Sequence, residues 1–317
     1  MLHFETPSQK KAYSQLQAKT PAALAEVVSQ SPLKVLVVIP FRDKWTMTAE
    51  CLAALAAQDL RRIHMLVALV DNGSVEAETA EGIKAALMQE SAGVQYRHLR
   101  YDIPFNFSRL NNLAVQDCRD FGPHLVCFLN NDVVMTDQST MRQMTTFLEL
   151  HPNAGTVGCS LLYPDQTIQH LFIAVGAKIV GAHPYKGCKI DLQDSWYHSP
   201  RPVGAATAAL IVMRSDLFDE VGGFEEALPS CYQDVDLALK VQRNGRVNWV
   251  LPWISAIHHE TQTRSPRHAW EEVDLMYGRW GGFLTSNPYH SSVWSRWSEP
   301  LVFALGEGEF PWRLLKD

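Results

Sequence analysis

Three short polar clusters carry most of the chemistry this sequence can offer. Asn130-Asn131-Asp132 directly follows the apolar run Leu125 to Leu129, which sets one carboxylate and two neutral amides at the end of a buried strand. That set falls short of an all-protein cage but suits Mg2+ or Mn2+, which bind one or two carboxylates and complete their shell with substrate phosphates and water. An Asx-type turn closing a strand fits the same residues. Gln233-Asp234-Val235-Asp236-Leu237 opens a helix-forming segment in which Asp236 has Lys240 four residues on, whereas Asp234 has only Ala238. Asp236 therefore has an ion-pair partner. Asp234 suits a general base if a substrate hydroxyl comes within about 3 Å, with a role at the helix start as its structural alternative. His258-His259-Glu260 follows another strand, with Arg264 and Arg267 near enough in sequence to clamp a diphosphate. A histidine at a strand end can equally be satisfied by a backbone partner.

Other sites are excluded by their missing signatures. The 317 residues contain no GxxxxGKS/T loop, no GxGxxG after a strand, no HExxH (His259-Glu260 runs on to Thr263) and no GxSxG. A P-loop NTPase, a Rossmann oxidoreductase, a zincin and an α/β-hydrolase all lose support. With 28 Lys and Arg against 34 Asp and Glu the net charge is −6, and no polybasic run appears, which argues against a nucleic-acid binder. An acidic chain without a glycine-rich phosphate loop gains most from a cation when it binds a diphosphate.

The elements that position these clusters follow from the apolar pattern. At 46% hydrophobic residues the chain can bury a large core. Its longest apolar run, Val203 to Met213, is far short of the roughly 20 residues that span a bilayer. No secretory signal is expected, because Lys10 and Lys11 have no apolar stretch behind them. Six scattered cysteines read as buried thiols of a cytosolic protein. Strands are expected at 34–39, 65–70, 94–99 and 125–129, alternating with helices at 46–58, 76–90 and 108–119, the last capped by Ser108. This alternation predicts a mostly parallel sheet covered by helices. After a helix at 139–150, mixed strands are expected at 155–163, 172–180, 204–213, 247–250 and 255–258. Helices are expected at 234–244 and 270–280. Three of the strands end in polar residues, Pro40-Phe41-Arg42-Asp43, Asp71-Asn72-Gly73-Ser74 and Asn130-Asn131-Asp132, and the ligand crevice of an open α/β sheet lies at such carboxyl ends.

In this order the segments resemble the family 2 inverting glycosyltransferases of the GT-A fold, particularly the bacterial rhamnosyltransferase-like branch that builds O-antigen and capsule glycans. The resemblance spans about Lys34 to Tyr289. It rests on Val37-Val38-Ile39-Pro40, Leu69 to Ser74, Phe105 to Asn112, Phe128 to Asp132, Leu162 to Asp165, Gly222-Gly223-Phe224, Gln233 to Leu237, His258-His259-Glu260, and Trp280-Gly281 with Asn287-Pro288-Tyr289. The implied fold is α/β: a GT-A domain at 33–265 with a mostly parallel Rossmann-like sheet, an N-terminal helical extension at 1–32, and a C-terminal helix and aromatic tail at 266–317. Residues 33–135 would be the nucleotide-sugar half and 136–265 the acceptor half.

The resemblance also implies roles. Asp71 would bond the pyrimidine base, Pro40 and Arg42 would line the nucleotide pocket with Asn112 nearby, and Asn130, Asn131 and Arg264 would contact the donor. Asp132 would meet Mn2+ or Mg2+ with His258 or His259, and Asp234 would deprotonate the acceptor hydroxyl. The implied partners are a UDP- or dTDP-sugar and a glycan or lipid-linked saccharide acceptor. The implied location is cytoplasmic, with peripheral contact at the inner face of the plasma membrane or with an assembly complex. Asn130 and Gln233 stand where the family often has acids, which lowers the negative charge at both positions. A non-catalytic donor-binding subunit is the competing reading, and a sugar-nucleotide pyrophosphorylase lacks its glycine-rich basic signature.

Overall fold

The computed structural model describes residues 32–89, 93–190, 194–260, 270–289 and 295–296. The expected N-terminal helix, Arg264, Arg267 and the tail tryptophans Trp294, Trp297 and Trp312 lie outside the described residues. The first strands are continuous β-branched and leucine runs, which suit a layer buried on both faces. They form β1 (Leu33–Phe41), β2 (Ile63–Asp71), β3 (Val94–Arg100) and β4 (Leu125–Leu129). All pair in parallel in the order β3-β2-β1-β4.

Helices cross between them: α1 (Trp45–Ala56), α2 (Ala77–Leu87) and α3 (Phe107–Asp117). The expected apolar face of α1, Thr48, Cys51, Leu52 and Leu55, is buried. The cap of α3 differs from expectation. Asn106 accepts from the Arg109 N–H at 2.9 Å, and Ser108 instead lies inside the first turn, donating its hydroxyl to the Leu228 carbonyl at 2.7 Å.

Beyond β4 the direction reverses. The chain forms β5 (Val133–Met135), α4 (Thr140–Leu150), β6 (Ala154–Leu162) and β7 (Ile168–His170). It continues through the short β8 (Ala174–Val175), β9 (Gly181–Ala182) and β10 (Arg201–Val203), then β11 (Leu210–Arg214), α5 (Ser215–Glu220), α6 (Gln233–Arg243), β12 (Val247–His258) and α7 (Trp270–Thr285). Strand β11 is antiparallel to both β4 and β6, so the sheet is parallel in its first half and mixed in its second.

Two expected strands are broken. Residues 172–180 cannot run as one strand, because Gly176 has φ +84° and Lys178 φ +57°. The run 204–213 is continuous strand only from Leu210; before it, Ala205 makes an isolated antiparallel bridge to Ile173, and Ala208 and Ala209 form a turn. Conversely, the segments expected at 247–250 and 255–258 are one strand, β12, with its register shifted between Leu251 and Ser255.

Helix α7 packs on α6 through Val273, Met276, Trp280 and Leu284 against Val235 and Leu239. The free cysteines Cys51, Cys118, Cys127 and Cys159 are buried as expected, but Cys188 is exposed and Cys231 half-buried. Among the described residues no helix is long and apolar enough to cross a membrane.

Candidate active site

The carboxyl ends of β1, β2 and β4 open onto a cavity of about 1020 Å³ whose walls include Pro40, Arg42, Lys44, Asn72, Asn130, Asn131, Asp132, His258 and His259. A second cavity of about 320 Å³ holds Asp234, His170, His183 and Thr207. The two share Phe107, Asn130, His258 and Glu260 as common wall. Residues distant in sequence thus meet where β4 and β12 end.

The loop after β1 is stitched to the loop after β2. Asp43 accepts from the backbone N–H groups of Val75 at 2.7 Å and Glu76 at 2.9 Å, and its own N–H donates to the Ser74 hydroxyl. The Glu76 N–H chiefly holds the Asp43 carboxyl below its ordinary range. The turn runs through two consecutive left-handed residues, Asp43 and Lys44, and it presents Arg42 and Lys44 to the large cavity.

Asp132 and His258 are brought together by strand pairing. Val133 at the start of β5 lies opposite His258 at the end of β12, and the His259 N–H donates to the Asp132 carbonyl at 3.0 Å. His258 Nε2 then lies 3.1 Å from Asp132 Oδ1. On the ring's other side, Nδ1 is 2.5 Å from Gln169 Oε1. The Gln169 amide nitrogen faces the His258 carbonyl and Glu260, which fixes Oε1 as the atom turned to the ring. An amide oxygen only accepts, so Nδ1 carries the proton and Nε2 is the nitrogen that can offer a lone pair. His258, not His259, is therefore the one poised beside Asp132.

This donor set fits a divalent cation. One carboxylate and one oriented imidazole would hold Mn2+ or Mg2+. Because no group of three or more His, Cys, Asp or Glu forms a cluster among the described residues, its remaining positions would fall to diphosphate and water.

Asp234 lies in the first turn of α6, after Tyr232 at φ +62°. A left-handed tyrosine costs about 1–3 kcal/mol, and the preceding loop is tied down by α7. Buried Glu272 accepts from the Ser230 hydroxyl at 2.8 Å and from the N–H groups of Cys231 at 2.8 Å and Ser230 at 3.3 Å. The Asp234 carboxylate takes hydrogen bonds from the N–H groups of Val235, at 2.9 Å, and Ala208, and from the Thr207 hydroxyl. Burial nevertheless raises its pKa, outweighing those bonds.

Asp236, two residues on, has the structural role its spacing suggested. It is fully buried, pairs with Lys240 at 2.9 Å and Arg279 at 3.0 Å, and accepts from Trp280 Nε1 at 2.8 Å.

Two residues with implied nucleotide roles are placed elsewhere. Asp71 is 1% exposed and sits behind the cavity wall, accepting from the Ser74 N–H at 2.7 Å and from Arg100 at 2.9 Å. Its neighbour Asn72 does border the cavity, and its buried Oδ1 has no hydrogen-bond partner. Asn112 lines neither cavity. It holds the 222–226 turn by accepting from the Phe224 N–H at 3.0 Å and donating to the Phe224 carbonyl at 2.9 Å. Sequence reasoning had not reached Gln169, His170, His183, Thr207 or Glu272. The one signal for the first two was their place between Asp165 and a strand break.

Residues 36–170, which carry β1 to β7 and the Asp132 loop, match the model of glycosyl transferase family 2. This segment belongs to that family. The chain is 33% identical over 263 residues to an uncharacterized protein, y4gI, of Sinorhizobium fredii, covering 78% of this chain and 27% of that protein. It is 30% identical over 255 residues to the O-antigen biosynthesis protein RfbC of Myxococcus xanthus, covering 76% of this chain and 19% of RfbC. It therefore spans about a quarter or less of the length of these curated relatives. The mannosyltransferase PcManGT of Pyrobaculum calidifontis, solved in complex with GDP-Man and Mn2+, shares the GT-A fold. Its TM-score is 0.53 at 13% identity, covering 88% of this chain and 74% of that one.

Proposed function

We propose that this family 2 glycosyltransferase moves a sugar from a nucleoside diphosphate donor, a UDP- or dTDP-sugar, to a hydroxyl of a glycan or lipid-linked acceptor with inversion. The observation that carries this reading is the common wall of the two cavities. Asp132 lines the larger, Asp234 the smaller, and Asn130 and His258 border both. Inverting transfer needs this division, with leaving diphosphate and acceptor oxygen on opposite sides of the reacting carbon.

In this mechanism the acceptor hydroxyl enters the smaller cavity and gives its proton to Asp234, whose raised pKa makes it a better proton acceptor than an exposed aspartate. The acceptor oxygen attacks the anomeric carbon while its bond to the diphosphate breaks on the far side. Arg42 and Lys44 at the cavity wall favour the dianionic donor, and Arg264 is proposed to join them. A cation held by Asp132 and His258 would stabilise the negative charge that develops on the leaving diphosphate. Base recognition is assigned to Asn72 at the end of β2, with Asp71 behind it holding the turn in place. Asn72 Oδ1 supplies an unpaired acceptor, and Asp71 supports it by binding the Ser74 N–H and Arg100.

The RfbC relationship supports a role in O-antigen or related polysaccharide assembly. The test is a screen of UDP-, dTDP- and GDP-sugars with Mn2+, measuring binding by calorimetry and slow nucleoside diphosphate release. Donor binding with release supports the transferase. Tight binding with no release under any acceptor tried would favour a donor-binding subunit instead.

A further inference from the structure

Polar atoms buried without a partner are rare in a folded protein, because each gives up its water and gains nothing in return. Gln233 holds one. The residue is 7% exposed, and its Oε1 is buried with no hydrogen-bond partner among the described residues. The other buried glutamines show what such an amide ordinarily does. Gln58 donates to the Ala54 and Asp137 carbonyls and accepts from the Met141 N–H. Gln143 donates to the Ser139 hydroxyl and accepts from Trp253 Nε1, and Gln169 accepts from His258 and donates to Glu260. Those three use both ends of the amide, whereas Gln233 leaves its acceptor empty.

The position of Gln233 decides what the empty acceptor meets. Gln233 and Asp234 are consecutive in the first turn of α6, and both line the smaller cavity. The larger cavity has a counterpart in Asn72 Oδ1, assigned above to the nucleotide base. Other buried atoms without a partner, such as Asn111 Oδ1 and Thr79 Oγ1, belong to residues that border neither cavity. Each cavity thus has an unpaired amide oxygen in its wall. Folding alone does not call for an amide at position 233, since a methionine of similar length would fill the space with no hydrogen bond to satisfy.

An amide oxygen only accepts, so the group that completes it must bring a hydrogen. A sugar hydroxyl does so; a ring oxygen, a glycosidic oxygen and an ionised carboxylate do not. The side chain is also neutral, where a glutamate would set a second negative charge beside Asp234.

We propose that Gln233 is an acceptor-binding residue whose Oε1 accepts from a second free hydroxyl of the acceptor sugar while the reacting hydroxyl faces Asp234. Two points of attachment would orient the reacting oxygen for attack. The acceptor unit that fits is an uncharged sugar with at least two free hydroxyls. This role rests on the transferase reading of the site, but the stability cost of the unpaired oxygen does not.

Two measurements on the full chain separate these. Gln233→Met keeps the side-chain length and removes the amide, so the unliganded variant should melt at or above the wild-type temperature. A clearly lower melting temperature would make the amide part of the fold and overturn the proposal, whatever the enzyme transfers.

The second measurement uses the methyl glycosides of glucose, galactose, mannose and rhamnose as surrogate acceptors, with monodeoxy analogues of whichever one accelerates nucleoside diphosphate release. In Gln233→Met the KM for that glycoside should rise by up to about tenfold, as expected for one lost hydrogen bond, with no matching rise in the KM for the donor. One monodeoxy analogue should show the same rise with wild type, and the variant should not distinguish that analogue from its parent. Equal glycoside KM values in wild type and Gln233→Met overturn the acceptor role. So does a variant that discriminates among the analogues as wild type does, or no response to any glycoside while donor release proceeds. A variant at least as stable as wild type, with no release from any donor by wild type, would instead contradict the transferase reading.

Discussion

Gln169 Oε1 accepts from His258 Nδ1 at 2.5 Å and so leaves His258 Nε2 as the nitrogen turned to Asp132. Gln169 thus sets the ligand geometry of the proposed cation site. Outer partners of metal-bound histidines typically matter by about 10–100-fold in metal affinity. Gln169→Ala should weaken Mn2+-dependent donor binding by about that factor in calorimetry, and His258→Ala or Asp132→Ala should abolish the metal stimulation. Donor binding that responds to Mn2+ equally in all three variants would remove this pair from the cation site.

Asp234→Asn keeps the shape of the side chain and removes the base. Transfer should fall by about 10²–10⁴-fold with donor affinity retained. Because burial raises the folded-state pKa of Asp234, the folded protein binds its proton more tightly than the unfolded chain. Its ionisation therefore costs stability as pH rises through the raised value. Above that pH the asparagine variant should be as thermally stable as wild type or more so, checked by melting curves across pH. The acid limb of the wild-type rate profile should lie above the ordinary aspartate range, since activity needs the ionised form.

Asp236, two residues along the same helix, should behave oppositely. It is fully buried among Lys240, Arg279 and Trp280. Asp236→Ala strands those donors and should cost about 3–5 kcal/mol in chemical denaturation. Wild-type stability in this variant would contradict the structural role.

Asn112 is a third contrast, since its amide bonds both backbone groups of Phe224 and borders neither cavity. Asn112→Ala should lower stability by about 1–3 kcal/mol while leaving donor affinity in calorimetry unchanged. A selective loss of donor affinity would return Asn112 to the nucleotide pocket.

What the sequence made legible follows the physics of each signal. The buried runs of β1, β2 and β4 and the polar residues at their ends were readable because an apolar stretch two faces deep has few other uses. The Asp236–Lys240 pair was readable from local spacing, which a helix converts directly into contact. His170, His183 and Thr207 were not, because their meeting depends on turns at Gly176, Lys178 and Gly204–Ala209 inside segments whose composition reads as strand. Glu272 was hidden for the same reason. Its three bonds to Ser230 and Cys231 join residues some forty positions apart, and no local pattern reports such a link.

The most direct test of the central claim is nucleoside diphosphate release from a UDP-, dTDP- and GDP-sugar panel with Mn2+, comparing wild type, Asp132→Ala and Asp234→Asn. The two-cavity arrangement predicts release from at least one donor by wild type. It also predicts a loss of donor binding in Asp132→Ala, and retained donor binding with strongly reduced turnover in Asp234→Asn. Turnover in Asp234→Asn equal to wild type, or release that survives unchanged in Asp132→Ala, would contradict it.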